Sequence, residues 1–572
     1  PLFSMPFLPA QSTKLGSSNG SVFIVVTMAR SMALNQAAGL QGMLKSGHQH
    51  YEGVDEAVAK NIDAVKQLAS KVSTSLGPNG MNKLVVNHLE KIIVTSDCAT
   101  MVKELEVVHP AAKMVAMAAE MQEQECGDGT NFVVTFAGEL LSKALDLLRS
   151  GVHISEIVEG YERAFQFSLE QLPSLVAHEV RDIQSKDSLV EAIRPVIAAK
   201  QLGHEDYLAP VVAEACLNVM GRNGKSFRTD AVRIVKMMGG RVEDSQVIRG
   251  MVLQRRAEGS VTRAENAKIS IYACGLEASM TEAKSTVLLR TAEDLLSYTR
   301  SEERKMEDVI RAIAENGTKV IVCNGTISDM AMHYLEKYKI MALKVHSKWE
   351  LRRLCGTCNA TAMVRLGAAT AEELGYCDLV EMREVGGRQV CVFAQEKEET
   401  RVCTIMLRSS TAPMLSDLER AVEDAINCVK IVCKDNLLLC GGGAWDMELA
   451  QRVQTFGDEQ TGLDQYAIKK YGEAFEAVPR ILARNSGEDM TQIISQLFAA
   501  HGNGEVFMGV NVNEGGGICD MKEKQVYDSL YVKTQALRLA TDAANTVLRV
   551  DQIIMAKQAG GPKAPPPPGH DA

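Results

Sequence analysis

The sequence predicts a multidomain α and α/β protein in which helical ends enclose an inserted α/β middle. Three observations carry this expectation. Apolar residues recur at helical spacing near both ends: Val54, Val58, Ile62, Val65, Leu68 and Val72, then Ala536, Leu539, Ala540, Ala543, Ala544, Val547, Leu548 and Ile554. Between them, from Lys268 to Leu354, strand-like and helical stretches alternate. The length, 572 residues, suits three or four domains.

The elements follow in order. Gly77-Pro78 stops the first helix, and Leu84–Val86 and Lys91–Val94 flank Asn87–Glu90 as a hairpin. Helices then run to about residue 200, with Pro110 in the first turn of one and Gly151 closing another. Lys268–Tyr272, Lys319–Cys323 and Ile340–Val345 read as strands. Helices are expected over Thr291–Glu315, Ile327–Tyr338 and, capped by Ser347, through Leu354. After about residue 415 helices return. Residues 1–31 hold only the short apolar run Val22–Val26, too short for a secretory signal, and read as an extension. The Pro-rich end, Pro565–Pro568, has no means of forming a core.

Hydrophobic residues make up 46% and charged residues 23%, the balance of a soluble globular protein. With Lys+Arg 62 against Asp+Glu 72, the net charge of −10 argues against nucleic acid as a partner. No apolar run approaches the roughly 20 residues of a membrane helix. The 14 cysteines are scattered, which suits a reducing compartment. The one close pair, Cys355 and Cys358, has no second CxxC or His pair beside it, so buried thiols are expected there, with zinc or redox chemistry as the alternative.

The chemistry is sought in glycine-rich turns. Neither GxxxxGK[ST] nor GxGxxG occurs. Leu76–Gly80 ends a helix, and Gly127-Asp128-Gly129-Thr130 separates two more. A helix beginning near Thr130 would aim free N–H groups at that junction and favour an anion. A carboxylate there, Asp128, suits phosphate only with a divalent cation between them, such as Mg²⁺. As a bland alternative, Asp128 is a plain N-cap. Gly441–Ala444 follows the apolar run Leu437–Leu439 and permits close backbone approach, or is simply a tight turn.

Taken together, LGPNGMNK (Leu76–Lys83), VTSDCAT (Val94–Thr100), GDGTN (Gly127–Asn131), GGGA (Gly441–Ala444), Lys469–Gly487 and Val547–Lys557 resemble the group II chaperonins, in one order from about Met32 to Lys563. Four details resemble one subunit type of the eukaryotic cytosolic chaperonin: HLEK (His88–Lys91), MQEQE (Met121–Glu125), the Asn of GDGTN and SKWELRRLC (Ser347–Cys355).

The resemblance implies a mostly helical discontinuous equatorial domain (32–175 with 430–563) and a small intermediate domain (176–240 with 398–429). It also implies an inserted α/β apical domain (241–397) with a helical protrusion near Met280–Met306, and a disordered tail at 564–572. It implies a nucleotide site for ATP or ADP: Leu76, Gly77, Pro78, Gly129, Thr130 and Asn131 along the phosphates, Asp128 on Mg²⁺, and Ala199 and Lys200 on the loop that senses the γ-phosphate. Gly441 and Gly442 would lie along the nucleoside and Asp528 at the ribose, with Asp97 and Asp424 as the catalytic carboxylates. Asp424 shares a helix with the apolar face Leu415, Leu418, Val422, Ala425, Ile426 and Val429. It lies off that face with Asp417 and Asn427, where a solvated side is expected. Trp349, Arg352 and Arg353 are expected to be exposed on the client-facing helix. The implied partners are seven other subunit types in a double ring of eight-membered rings, and unfolded or nascent polypeptides such as actin and tubulin, in the cytoplasm. The activity implied is ATP-driven protein folding; a nucleotide-binding but catalytically silent ring subunit, or a free-standing ATPase, are the alternatives.

The chain departs from the common family pattern at Ser96 and Cys98, usually Asn and Gly, at Trp445-Asp446, usually Thr-Glu, and at Ser409, often Gly. An indole at position 445 is expected to crowd the neighbouring helices.

Overall fold

Val58, Ile62, Val65 and Val72 form the stripe that the sequence pattern marks, and all four are buried on one face of α1 (Val54–Ser73). The computed structural model describes residues 54–87, 89–221, 227–277, 291–395, 402–513 and 515–553. These fall almost wholly in one compact unit, Val58–Arg549. The extension 1–31, the tail 564–572, Ile554 and residues 278–290 of the expected protrusion lie outside the described residues.

A first hairpin, β1 (Lys83–Val86) with β2 (Ile92–Thr95), is antiparallel, as its turn predicts. Helices α2 (Cys98–Glu104), α3 (Pro110–Glu125, proline at N1), α4 (Thr130–Arg149), α5 (Ile154–Gln171), α6 (Lys186–Ala198) and α7 (Glu205–Val219) follow. They are interrupted by β3 (Val176–Glu179), a strand the apolar pattern does not disclose.

The middle of the chain builds a ten-stranded mixed sheet. Its strands are β4 (Val232–Met238), β5 (Gln246–Leu253), β6 (Ala257–Glu258), β7 (Arg263–Tyr272), β8 (Thr318–Cys323), β9 (Met341–Lys344), β10 (Ala362–Met363), β11 (Gly375–Val385), β12 (Arg388–Ala394) and β13 (Cys403–Ser409). The order is β4-β13-β5-β12-β11-β7-β8-β9-β6, with β10 beside β7. The alternating stretch gives the parallel trio β7-β8-β9, crossed by α8 (Ala292–Glu315) and α9 (Asp329–Lys337) as a parallel pairing requires. Helix α10 spans Lys348–Cys358, capped by Ser347, and packs on this sheet.

The remainder comprises α11 (Ala412–Val432), β14 (Leu437–Cys440), α12 (Ala444–Glu459), α13 (Asp464–Ala474), α14 (Ala477–Asn485), α15 (Met490–Gly502), β15 (Met508–Val510), β16 (Ile518–Asp520), β17 (Tyr527–Ser529) and α16 (Leu530–Leu548). Helix α16 stops at Leu548, short of the expected Ile554. Strands β3, β14 and β17 form a three-stranded sheet.

Packing reunites distant segments. One core joins residues from α1–α5 to residues of α12–α16, and Gly138 brings α4 so close to α1 that a Cβ would stand 2.4 Å from that of Ala69. A second core joins α6 and α7 to α11, β13 and β14. Two more line the faces of the central sheet. The cysteines are free and most are buried; Cys355 is half-buried and Cys358 buried, and no cluster suited to a metal occurs among the described residues.

Two glycines show why these turns take no other residue. Gly127 has φ +74°, and a Cβ would stand 2.1 Å from the Asn427 amide; Gly442 has φ +65°, with Met521 Sδ 2.6 Å away. Left-handed backbone costs an ordinary L-residue about 1–2 kcal/mol. Gly127→Ala is therefore expected to loosen the α3–α4 junction. Hydrogen exchange of peptides across residues 120–135 checks this, faster exchange being the expected result.

Candidate nucleotide site

Helix α3 ends at Glu125 and α4 begins at Thr130, capped by Gly129 at φ +83°, so the first N–H groups of α4 have no intrahelical partner. They face a cavity of about 520 Å³ within the usual range for ligand sites. Leu76, Gly77, Pro78, Asp97, Asp128, Gly129, Thr130, Asn131, Ala199, Lys200, Gly442 and Asp528 line it, as the sequence motifs suggested. Gly441 stands just behind the wall, where a Cβ would lie 3.3 Å from Asp528 Oδ2.

Asp128 is not a plain N-cap, since that position belongs to Gly129. Its Oδ1 accepts the Gly129 N–H at 2.7 Å. Burial raises its carboxyl above the usual range, with Lys200 pulling the other way. Gln122, fully buried, donates through Nε2 to the Asp128 carbonyl (2.9 Å) and to the Val532 carbonyl (3.3 Å), bracing the Asp128 turn against α16.

Lys200 follows the C-terminus of α6, where a cation suits the helix dipole. Its Nζ lies 3.1 Å from Asp97 Oδ1 and also pairs with Asp424 Oδ2. Burial disfavours the ammonium, but Asp424, Asp97 and Asp128 outweigh it and hold Lys200 charged. Asp97 caps α2: its Oδ2 accepts the Thr100 N–H (2.9 Å) and hydroxyl (2.8 Å). Burial pushes its carboxyl up, yet Lys200 and the Thr100 bonds keep it below the ordinary value.

Asp424 corrects an expectation. It is 4% exposed and Asp417 5%, so this side of α11 is not solvated. The second face of the helix carries the ion-pair network, with Arg420 donating to the Val94 carbonyl of β2 at 2.7 Å. Burial drives the Asp424 carboxyl well above its usual range, opposed by Lys200.

Sequence reasoning missed three groups here. Lys533 lines the cavity with Nζ 3.1 Å from Asp528 Oδ2, over the rings of Phe132 and Trp445. It is a lone cation in the first turns of an apolar helix, and that contrast was the available signal. Gln122 lies in the Met121–Glu125 stretch, which the sequence offers as a subunit-type resemblance without a role at the site. Glu123 is pushed up to about 7 by burial, then by the charge of Asp97.

The departing residues are buried, but Ser96 Oγ, Trp445 Nε1 and Asp446 Oδ1 have no hydrogen-bond partner among the described residues. Trp445 is buried against Phe132 and Phe475 rather than crowding the helices. Ser96, Cys98 and Ser409 are buried. Trp349, Arg352 and Arg353 lie on α10, apart from this cavity: Trp349 is 68% exposed and Arg352 exposed, whereas Arg353 is only half-exposed.

Residues 68–558 match the model of the TCP-1/cpn60 chaperonin family. The chain is 48% identical over 537 residues to T-complex protein 1 subunit theta of Homo sapiens, covering 93% of this chain and 98% of that protein. The proteins of that name from Dictyostelium discoideum (47% over 527 residues, 92% and 98%) and Arabidopsis thaliana (47% over 531 residues, 92% and 96%) are similar to the same degree. All three share one subunit name, in line with the resemblance of Met121–Glu125 and Ser347–Cys355 to a single subunit type. The chain belongs to the TCP-1/cpn60 chaperonin family.

Proposed function

We propose that this chain is an ATP-hydrolysing subunit of a hetero-oligomeric cytosolic chaperonin, a double ring of eight-membered rings with seven other subunit types, that folds polypeptides such as actin and tubulin. The observation that carries the reading is the charge cluster at the cavity: one ammonium, Lys200, held between Asp97 and Asp424 beside Asp128 and the open end of α4. Asp97 and Asp424 come from segments more than three hundred residues apart, and a structural ion pair alone needs only one carboxylate.

The residues fit ATP with Mg²⁺. No group of three or more ligating side chains is present among the described residues, so a hard cation there would draw on Asp128 and on phosphate oxygens. When bound, Mg²⁺ supplies charge neutralisation between the phosphates. The α4 N–H groups and the 76–78 turn bind the phosphates, and Asp528 and the 441–442 turn orient the nucleoside. Lys200, drawn to the γ-phosphate, releases Asp97 and Asp424 from their mutual neutralisation. The freed carboxylates orient the attacking water and accept its proton. Because Asp424 is carried on α11, its approach depends on how α11 sits against β2, which couples hydrolysis to a domain movement.

The division into 32–175 with 430–563, 176–240 with 398–429, and 241–397 is supported by the first, third and fourth cores, which keep within its parts. The second core instead reaches β14 and β17, and the central sheet pairs β13 with β5, across its boundaries. The exposed indole of Trp349 with Arg352 supports α10 as a client-facing helix.

Assembly is supported by the hairpin. Met81, Leu84, Val86, Leu89 and Ile92 are all exposed, and Leu89 is 73% exposed on a two-stranded sheet that pairs with no third strand among the described residues. Such an edge invites pairing with another chain. Expressed alone, the chain is expected to aggregate or form irregular assemblies; native mass analysis of the product checks this, and a monodisperse monomer with ordinary ATP turnover contradicts it. The reading as a whole is tested by cryo-electron microscopy of the affinity-purified complex incubated with ATP. Nucleotide in this cavity of a double ring is the expected result.

A further inference from the structure

We propose that His501 is a positioning residue: by bridging Glu448 to the Met508 carbonyl it holds β15 against the Gly441–Gly443 turn and so sets the nucleoside-side wall of the cavity. The proposal rests on the nucleotide reading above. Neither His501 nor Glu448 lines the cavity itself. His501 stands in the last turn of α15, with its side chain wholly buried. Both ring nitrogens are engaged: Nδ1 lies 2.9 Å from Glu448 Oε2, and Nε2 lies 3.0 Å from the Met508 carbonyl. Glu448 belongs to the second turn of α12, the helix that the glycine turn opens, and Met508 is the first residue of β15. One imidazole therefore ties three elements together.

Hydrogen-bond bookkeeping fixes the chemistry of the bridge. A carbonyl only accepts, so Nε2 carries a hydrogen and donates to Met508. A neutral ring would then turn a bare Nδ1 towards a carboxylate, acceptor against acceptor, so the contact with Glu448 holds one added proton. Arg452 Nε donates to the other oxygen, Glu448 Oε1, at 2.9 Å, which favours the ionised carboxylate and leaves that proton on the ring. A cation also suits the C-terminal end of α15. The His501 bond holds the Glu448 carboxyl below its ordinary range, against burial and with help from Arg452. Arg452 is itself anchored on Gln171 (3.0 Å) and Ser174 (2.7 Å), so the carboxylate is fixed from its far side.

The cavity lies one bond further on. The Val510 N–H donates to the Gly442 carbonyl at 2.9 Å, and Asn79 Nδ2 donates to the Val512 carbonyl at 3.1 Å. Val510, Asn511, Val512 and Asn513 line the cavity beside Gly442. Strands β15 and β16 pair only with each other among the described residues, so no larger sheet sets their place. Cutting the bridge frees β15, and with it the Gly442 carbonyl, whereas Asp97, Lys200 and Asp424 stand on other elements.

The test compares assembled rings carrying His501→Phe or Glu448→Gln in this subunit. Phenylalanine keeps the bulk and loses both bonds. Glutamine loses the charge and keeps the bridge, because its carboxamide donates to a neutral Nδ1 while its oxygen still accepts from Arg452. Three quantities are read: ATP and ADP affinity at this subunit, single-turnover hydrolysis of the bound ATP, and hydrogen exchange of peptides across residues 504–513 without nucleotide. Removing the partner that orients a binding group commonly costs about ten- to a hundredfold at metal sites, and His501→Phe is expected to weaken ATP and ADP alike by about tenfold. Its exchange across 504–513 should quicken, while hydrolysis of ATP once bound should match wild type. Glu448→Gln is expected to match wild type in all three. A histidine that only fills space predicts wild-type affinity and exchange in His501→Phe, and that result overturns the proposal. So do equal losses in Glu448→Gln, which would make the charge rather than the bridge responsible. Should His501→Phe fail to enter rings, Glu448→Ala empties one end of the bridge instead; weaker affinity with faster exchange is expected there, and wild-type values overturn the proposal. If wild-type rings bind no nucleotide at this subunit, the functional reading fails, while exchange across 504–513 still decides the bridge.

Discussion

Asp424→Ala is expected to enter rings and bind ATP, yet to hydrolyse it at this site slower by about 10²–10⁴-fold, the usual worth of a positioned general base. The structure changes the reason for expecting a folded variant. Asp424 is a buried partner of Lys200, not a solvated carboxylate. Removing one member of a buried pair is commonly costly because the other charge is stranded. Lys200 is not stranded here, since Asp97 remains 3.1 Å from its Nζ. Burial already strains the Asp424 carboxylate, and Asp128 and Asp97 repel it, so its loss also relieves crowding. Nucleotide identity in this cavity after one turnover time is the measurement that isolates the subunit: uncleaved ATP in the variant, ADP in the wild type. ADP in both would leave Asp424 as a structural ion-pair partner. Uncleaved ATP in both would instead favour a subunit that binds nucleotide without contributing to hydrolysis.

Asp128→Ala is expected to lower nucleotide affinity at this subunit by at least about tenfold, with only partial recovery in excess Mg²⁺. One side-chain oxygen of Asp128 is taken by the Gly129 N–H, leaving the other as the carboxylate oxygen offered to the cavity at the mouth of α4. Phosphate brought to that mouth meets favourable N–H groups and an unfavourable anion, and a divalent cation reconciles them. Without the carboxylate the cation keeps only phosphate and water ligands. Fold should survive, because Gln122 bonds the Asp128 backbone carbonyl rather than its side chain. Titrating nucleotide with and without Mg²⁺ checks the assignment: an affinity unchanged at every Mg²⁺ concentration would remove Asp128 from the metal site.

Much of this was legible in the sequence because it is local. The stripe from Val58 to Val72, Pro110 at the start of α3, the turn between β1 and β2 and the glycine turn before α12 each depend on residues a few positions apart. The parallel trio β7-β8-β9 could be read from alternation, since a crossover helix must lie between parallel strands. The motifs at 76–78, 127–131 and 441–442 likewise reached the right cavity through their resemblance to one family.

What tertiary structure alone decided is which distant segments share a wall. Strands β3, β14 and β17 are only three or four residues long; the apolar run of β14 shows in the sequence, but its pairing with β17 about ninety residues on and with β3 about 260 residues back does not. The same limit explains Asp424. Amphipathic spacing identifies the apolar face of α11 and assigns the remainder to water by default. That remainder is instead closed off by Lys200 from the end of α6, Gln201 beside Asp417, and the β2 strand under Arg420. A helix pattern records where apolar side chains point, whereas the burial of a charge depends on a partner that folding brings from elsewhere.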